Sequence, residues 1–148
     1  IERIKKYKAM EGAPRLTFKE AVSKAISGYT DYNTRSRRSE FWNVELACFI
    51  INFIVTFVLS LIGINVLTYI VFVALSIAAL IVCLPLLVRR LHDIGKTGWF
   101  ALLALIPIVG WIILIIWNCT DSQVESNEYG PSPKYSSPGQ GYVTSNMI

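Results

Sequence analysis

The sequence predicts an all-α integral membrane protein with three transmembrane helices, preceded by a short amphipathic helix. Hydrophobic residues make up 53% of the 148 residues and charged residues only 16%, whereas soluble domains contain roughly 25% charged residues. Three apolar runs are long enough to cross a bilayer, and the lysines and arginines lie outside them. A soluble helical bundle would instead carry charge along the outer face of every helix.

The chain begins with a basic N-terminal segment, residues 1–15, for which the sequence predicts no definite structure. Its charge leaves no room for the apolar core of a signal peptide, so we expect none there. Residues 17–20 (TFKE) have the form of a capping box. Apolar residues at spacings of three and four then predict an amphipathic helix over residues 18–26, which Gly28 ends. Its apolar face could pack on the membrane surface or on the protein, and the two are compatible.

The three spans are predicted over about residues 41–61, 66–88 and 99–117. Aromatic residues at the start of the first span and at both ends of the third suit the lipid headgroup level. Gly63 and Asn65 break the apolar run, so a hairpin is expected rather than one helix of more than twice the bilayer thickness. Pro85 should bend or unwind the second span near its end. The chain then divides into residues 1–15, a three-helix membrane domain over 16–134, and a flexible tail over 135–148.

Lysine and arginine flank the spans unevenly. Ten lie before Phe41, three lie between Arg89 and Lys96, and the remaining one is Lys134. Two spans separate the first group from the second, so both groups face one side, which the positive-inside rule identifies as the cytoplasm. The sequence therefore predicts a cytoplasmic N-terminus and a C-terminus outside.

The net charge of +4 predicts that the protein interacts with the anionic lipid headgroups of the phospholipid bilayer. Nucleic acid is not expected, because the basic residues flank apolar spans and form no patch with base-stacking aromatics. Cys48, Cys83 and Cys119 have neither CxxC spacing nor a neighbouring histidine. We therefore expect no disulfide, no metal and no cofactor.

The loop between the second and third spans is the densest polar insert among the apolar runs, and it holds the only histidine of the chain. On a helix, Asp93 could pair with Arg89 four residues before it or with Arg90 three residues before it. The side chains of functional or structural interest in this loop are Arg89, Arg90, His92, Asp93 and Lys96.

Three interpretations of this loop stay open. It is a positively charged loop held in shape by a salt bridge, or it converges with the cytoplasmic basic cluster to bind a partner or phosphate headgroups, or His92 acts as a general base. Catalysis is the least expected, because neighbouring residues on a helix point apart and no serine or cysteine nucleophile lies nearby. The basic cluster consists of Arg35, Arg37 and Arg38.

Four blocks of this sequence resemble, in order and spacing, a family of small bacterial inner-membrane proteins. The blocks are residues 35–42 (RSRRSEFW), 89–99 (RRLHDIGKTGW), 107–110 (PIVG) and 127–133 (NEYGPSP). The family is the domain-of-unknown-function family eight-zero-five, and the resemblance covers about residues 16–134. Thr34 stands where the family often has glycine, and Glu128 stands where it often has arginine, so no role that needs this tail arginine is expected here. The resemblance implies a multi-pass protein of the bacterial inner membrane and no particular activity.

The sequence therefore predicts a small inner-membrane protein that is not an enzyme and serves as an interaction or scaffold subunit, with a membrane-protein partner or a second copy of itself. The alternative is an oligomeric transporter or lipid-handling protein that uses the cytoplasmic arginine cluster. No charge lies near the middle of a span, so a monomer offers no ion path.

Overall fold

The computed structural model describes residues 14–63 and 65–135, so most of the predicted N-terminal segment and residues 136–148 of the predicted tail lie outside the described residues. The described chain forms α1 (Phe18–Ser27), α2 (Arg38–Ile62), α3 (Asn65–Asp93), a 3₁₀ helix (Gly98–Leu105) and α4 (Val109–Cys119). Asn127 and Gly130 form an isolated bridge, and the described residues contain no extended strand. The prediction of an all-helical chain is therefore confirmed for them.

The capping box predicted at the start of the first helix is present. The Thr17 side chain accepts a hydrogen bond from the Glu20 N–H, and the Glu20 carboxylate accepts one from the Thr17 N–H at 2.8 Å. These bonds satisfy two backbone donors that the first turn would otherwise leave free. The helix ends at Ser27, with Gly28 as its C-cap, as the sequence predicts.

Helix α1 packs on the protein. Ala25 is fully buried in a cluster with Phe41 and Val44 of α2 and Leu86 of α3. The ammonium of Lys24 also lies 3.0 Å from the carboxylate of buried Glu40. Apolar Phe18 and Ile26 on this helix stay exposed, so both predicted modes of packing are compatible with the structure.

Helices α2 and α3 form the predicted hairpin, with Gly63 at a φ of +79° ending the first of them. They contain 25 and 29 residues, and at about 1.5 Å per residue each exceeds the ~30 Å hydrocarbon core. They are the two helices in the described ranges that are long and apolar enough to cross a membrane. Helix α3 continues past Pro85 to Asp93, so the expected unwinding at Pro85 is wrong.

The predicted third transmembrane helix does not form. Residues 98–119 instead make two short arms, the 3₁₀ helix and α4, each about 16 Å long and thus half of what a crossing needs. The chain reverses at Ile108, whose φ of 65° and ψ of −71° place it at the centre of a γ-turn closed by the Val109 N–H and the Pro107 carbonyl at 2.8 Å. We call this unit, residues 98–119, the apolar hairpin.

Glycine at position 110 permits the apolar hairpin. A Cβ at Gly110 would overlap the carbonyl oxygen of Leu103 in the opposite arm. The arms are also joined by the Trp111 indole N–H, which donates to the Ala104 carbonyl at 2.9 Å. The hairpin packs on α3 through a second core cluster, which contains Leu91, Ala101 and Leu114.

The hairpin returns the chain to the end at which it started. Arg38, the first residue of α2, donates to the Cys119 carbonyl at the end of α4 at 3.0 Å. The Gln123 N–H donates to the Asp93 carbonyl at the end of α3 at 3.1 Å. Residues 120–135 therefore lie at the same end of the molecule as residues 14–38, and the expected placement of the C-terminus opposite to the N-terminus is not supported.

Candidate functional site

Asp93 lies at the centre of a buried polar cluster at this end of the molecule. Its side chain is 0% exposed, and its carboxylate accepts hydrogen bonds from three groups. Arg90 Nη1 and Ser122 Oγ each lie 2.6 Å from Oδ2, and Arg35 contacts Oδ1 through Nη2 at 3.0 Å and Nε at 3.1 Å. A buried carboxylate needs such partners, because an uncompensated charge in the interior is costly. We call Asp93, Arg35, Arg90 and Ser122 the Asp93 cluster.

Arg35 connects this cluster to the C-terminal segment. Its guanidinium donates to the backbone carbonyls of Gln123 at 2.8 Å, Glu125 at 3.0 Å and Gly130 at 3.1 Å. It also donates to the Asp93 carbonyl at 3.2 Å. The planar five-donor fork of arginine suits this many acceptors. Arg35 thus joins the segment before α2, the end of α3 and the chain beyond α4.

Arg90 binds the end of the apolar hairpin. Besides Asp93, it donates to the carbonyl of Thr120 and, at 3.4 Å, to that of Asn118. These carbonyls lie at the C-terminus of α4, where backbone acceptors lack helical partners and the helix dipole favours a cation. Of the two pairings predicted for Asp93, the one with Arg90 is therefore the one that forms.

Arg89 points to the other side of α3, toward the loop after α1. Its side chain is 2% exposed, and Nη1 lies 3.8 Å from Oδ2 of Asp31. Burial alone would raise the pKa of the Asp31 carboxyl. Other groups outweigh this effect of burial and hold the pKa of Asp31 below its ordinary value. They are the hydrogen bonds from the Thr34 side chain and from the backbone N–H groups of Asn33 and Thr34, and the charge of Arg89.

His92 is held by stacking and by the backbone. Its ring lies parallel to the Tyr129 ring, with the centroids 3.6 Å apart. Nδ1 lies 3.3 Å from the Thr34 carbonyl, and because a carbonyl only accepts, Nδ1 must carry the proton. Asn127 donates to the His92 carbonyl at 2.9 Å. Nδ1 of His92 therefore faces a backbone carbonyl. In a catalytic triad, a carboxylate orients the histidine that acts as general base. The surroundings of His92 do not match that arrangement.

The remaining predicted site residues fall outside the Asp93 cluster. Lys96 lies over the Trp117 ring at 4.3 Å and so contacts the apolar hairpin. Arg37 is buried and donates to the Pro14 carbonyl at 3.0 Å, and Arg38 is exposed. The predicted basic cluster therefore divides, because Arg35 points inward while Arg37 and Arg38 lie on the other side of the segment.

Several residues of this site escaped sequence reasoning. Ser122 and Gln123 lie in a polar segment whose composition suggested only a tail, and nothing local marks Asp31 as facing an arginine. Asn127 and Tyr129 had one signal, since they belong to the fourth block of the family resemblance. Within residues 14–63 and 65–135 there is no group of three or more His, Cys, Asp or Glu residues that could hold a metal ion.

Comparison with known proteins gives a consistent family. The family described as "Protein of unknown function (DUF805)" matches residues 29–131. The Escherichia coli K12 protein named "Inner membrane protein YhaH" is 36% identical over 124 residues, which covers 75% of this chain and 93% of that protein. "Inner membrane protein YhaI" of the same strain is 34% identical over 112 residues, covering 76% and 93%. No solved structure matches the chain.

Proposed function

The chain belongs to the DUF805 family, and we propose that it is a non-catalytic interaction or scaffold subunit of the bacterial inner membrane that presents a rigid polar unit to partner proteins. Its relatives are named inner membrane proteins, and α2 and α3 are long and apolar enough to cross that membrane. The polar unit consists of α1, the end of α3, and residues 28–37 and 120–135.

The polar unit faces the cytoplasm in this proposal. All the lysines and arginines in the described ranges lie at its end of the molecule, and residues 41–88 contain none. Positive charge in segments that flank membrane spans is retained on the cytoplasmic side. Because the apolar hairpin returns the chain, residues 120–135 share that side, and this placement takes Lys134 to the same face as the other cations.

The observation that carries the proposal is that groups of the protein itself satisfy both oxygens of the buried Asp93 carboxylate. Three chain segments meet there, and each oxygen of the carboxylate has a donor at 3.1 Å or less. A buried carboxylate satisfied in this way rigidifies a fold and has little capacity left to bind a substrate. In the spans, Asn52 and Ser76 hydrogen-bond to each other at 3.1 Å. The outer surface of the polar unit remains available to a partner protein. This availability supports a role in binding rather than in transport.

Site-specific photo-crosslinking in cells tests this proposal. A photoreactive residue at exposed Tyr32 or Glu125 of the polar unit should give one discrete protein adduct, whose mass identifies a partner or a second copy. The matched control is Tyr69, which is 69% exposed on α3 near the opposite end and should give lipid adducts only. Protein adducts absent from every exposed position of the polar unit would contradict the proposal.

A further inference from the structure

The apolar hairpin presents an exposed surface at its tip, where its two arms meet. Residues 99–117 contain no charged residue, and the exposed apolar side chains around the tip are Leu105, Ile106, Ile108, Val109 and Trp111. Exposed apolar surface of this kind marks a contact with a membrane or with another protein. We propose that the hairpin inserts into the cytoplasmic leaflet alone and acts as a wedge, so that the protein prefers membrane whose cytoplasmic face is convex. Such a wedge goes beyond a scaffold role, because its ligand is lipid, and it requires the cytoplasmic placement of the polar unit proposed above.

The length of the arms matches one leaflet. The 3₁₀ helix and α4 are each about 16 Å long, which is about half of the ~30 Å hydrocarbon core. Both arms start from the polar unit, because α4 ends at the Cys119 carbonyl that Arg38 contacts and the 3₁₀ helix begins five residues after the end of α3. A tip directed into the membrane therefore approaches the centre of the bilayer and does not reach the opposite leaflet.

The base of the hairpin carries residues typical of the headgroup level. Trp99 is exposed in the first turn of the 3₁₀ helix, and Trp117 lies in the last turn of α4. Tryptophan is enriched at this level of a membrane. The Lys96 ammonium lies 4.3 Å from the centroid of the Trp117 ring, so a cation accompanies the indole at the base. The hairpin is thus apolar at its tip and amphipathic at its base, as insertion with the tip first requires.

The turn at the tip satisfies backbone donors without water. Irregular backbone enters hydrocarbon only where its polar groups have protein partners, and Pro107 has no backbone N–H. Three N–H groups around the turn donate to carbonyls of the hairpin itself: Ile106 to Leu103 at 3.0 Å, Val109 to Pro107 at 2.8 Å and Gly110 to Ile106 at 3.1 Å. The Trp111 indole N–H also donates inward, to the Ala104 carbonyl at 2.9 Å. These bonds favour lipid over water around the tip.

Insertion to this depth makes the two leaflets unequal. In the proposed topology, α2 and α3 pass through both leaflets, whereas the two arms of the hairpin occupy the cytoplasmic leaflet only. A helix with its side chains is about 10 Å across, so the arms roughly double the cross-section of the protein in that leaflet. Apolar segments that occupy one leaflet bind membranes in a curvature-sensitive way. Expansion of the cytoplasmic leaflet favours membrane that is convex on that side.

Spin labels measure the depth of insertion. The full-length protein is reconstituted into phospholipid vesicles with a single labelled cysteine, which is Val109→Cys at the tip, Ile50→Cys at the middle of α2, or the native Cys119 at the base. Accessibility of the label to oxygen and to a water-soluble nickel complex reports its depth. We expect position 109 to lie as deep as position 50, and Cys119 to lie at the headgroup level. A water-accessible label at position 109 beside a deep label at position 50 would overturn the proposal and leave the scaffold role intact.

The distribution of the protein over vesicles of different size tests the wedge. A fluorophore is attached to Ser126→Cys, at an exposed position, and an impermeant quencher distinguishes copies whose polar unit faces outward from those that face inward. Outward-facing copies should be roughly twofold denser on the smallest vesicles than on the largest, and inward-facing copies should show the opposite trend. Equal density of the outward-facing copies on all vesicles would overturn the proposal.

Two aspartate variants separate insertion from folding. Val109→Asp places a charge at the tip, in the first turn of α4, and should abolish the preference for small vesicles. Val66→Asp is the matched control, because Val66 is also exposed and lies in the first turn of α3, at the end far from the hairpin, and it should keep the preference. An acidic residue suits the start of a helix, so both variants should keep the thermal midpoint. A preference that persists in Val109→Asp would contradict the wedge.

Discussion

The spanning half of the molecule and its polar unit are built in opposite ways. In the most apolar windows of α2 and α3, only 6% and 11% of residues are buried, so large side chains such as Phe53 and Ile70 face outward. In the polar unit, Arg90 and Asp93 are 0% exposed. Exposed apolar surface costs little in a bilayer, whereas buried charge needs partners in any medium. The fold is therefore specified mainly by the polar unit, and substitutions there should be the more damaging.

Asp93→Asn should have the largest effect. It removes the charge that compensates Arg35 and Arg90, both buried, and breaking a buried ion pair from one side costs about 3–5 kcal/mol. The measurement is the free energy of unfolding in mixed detergent micelles. Glu125→Gln removes a carboxylate at an exposed position and should change this free energy by less than about 0.5 kcal/mol. Equal tolerance of both changes would remove the contrast between the two regions.

Gly110→Ala should rank second and tests the apolar hairpin. The new methyl group would overlap the Leu103 carbonyl oxygen, so the arms must separate, at a cost of about 2–3 kcal/mol in the same unfolding measurement. Ile112→Ala in α4 serves as the control, because that side chain is exposed and its truncation opens no cavity. A Gly110→Ala protein as stable as the wild type would mean that the arms do not approach this closely.

Ser122→Ala should cost less, about 1.5 kcal/mol, because one hydrogen bond to a charged group is lost while both arginines remain. Ser122 Oγ lies 2.6 Å from Asp93 Oδ2, and thermal unfolding in detergent reports the loss. Ser126→Ala, at an exposed position of the same segment, should leave the midpoint unchanged. Identical midpoints for the two variants would show that Ser122 does not contribute to the Asp93 cluster.

The smallest effect is expected within the spans. Asn52 and Ser76 share a hydrogen bond that joins α2 to α3 there, and such bonds contribute on average about 0.6 kcal/mol in membrane proteins. A double-mutant cycle with Asn52→Ala and Ser76→Ala measures the interaction directly. A coupling energy as large as the loss of unfolding free energy in Asp93→Asn would contradict the ranking of the two regions.

Local signals predicted the elements well, whereas the path of the third apolar run depended on a long-range contact. The capping box at Thr17 and the two long spans follow from residues close in sequence. The third run has the length and composition of a crossing helix, and Pro107 and Gly110 are also tolerated inside one. What distinguishes the hairpin is the close approach of Gly110 to Leu103, which composition does not reveal.

The same distinction applies to the site. The pair formed by Arg90 and Asp93 follows from helical spacing, and the sequence predicted it as one of two options. Arg35 is 58 residues from Asp93 along the chain, and Ser122 is 29 residues from it. No periodicity connects such distant positions, so their meeting at one carboxylate requires the tertiary fold. The distribution of lysine and arginine predicts the tail on the other side of the membrane, so it gives no reason to place Ser122 beside Asp93.

In the proposed topology, the Asp93 cluster holds the chain before α2 and the chain beyond α4 on one side of the membrane. Two variants without the native cysteines test it, one with Thr30→Cys and one with Ser126→Cys, both at exposed positions. An impermeant thiol reagent is added to right-side-out spheroplasts and to inverted membrane vesicles. Both cysteines should react in the inverted vesicles and neither in the intact spheroplasts. Reaction of the two cysteines from opposite sides would contradict the account.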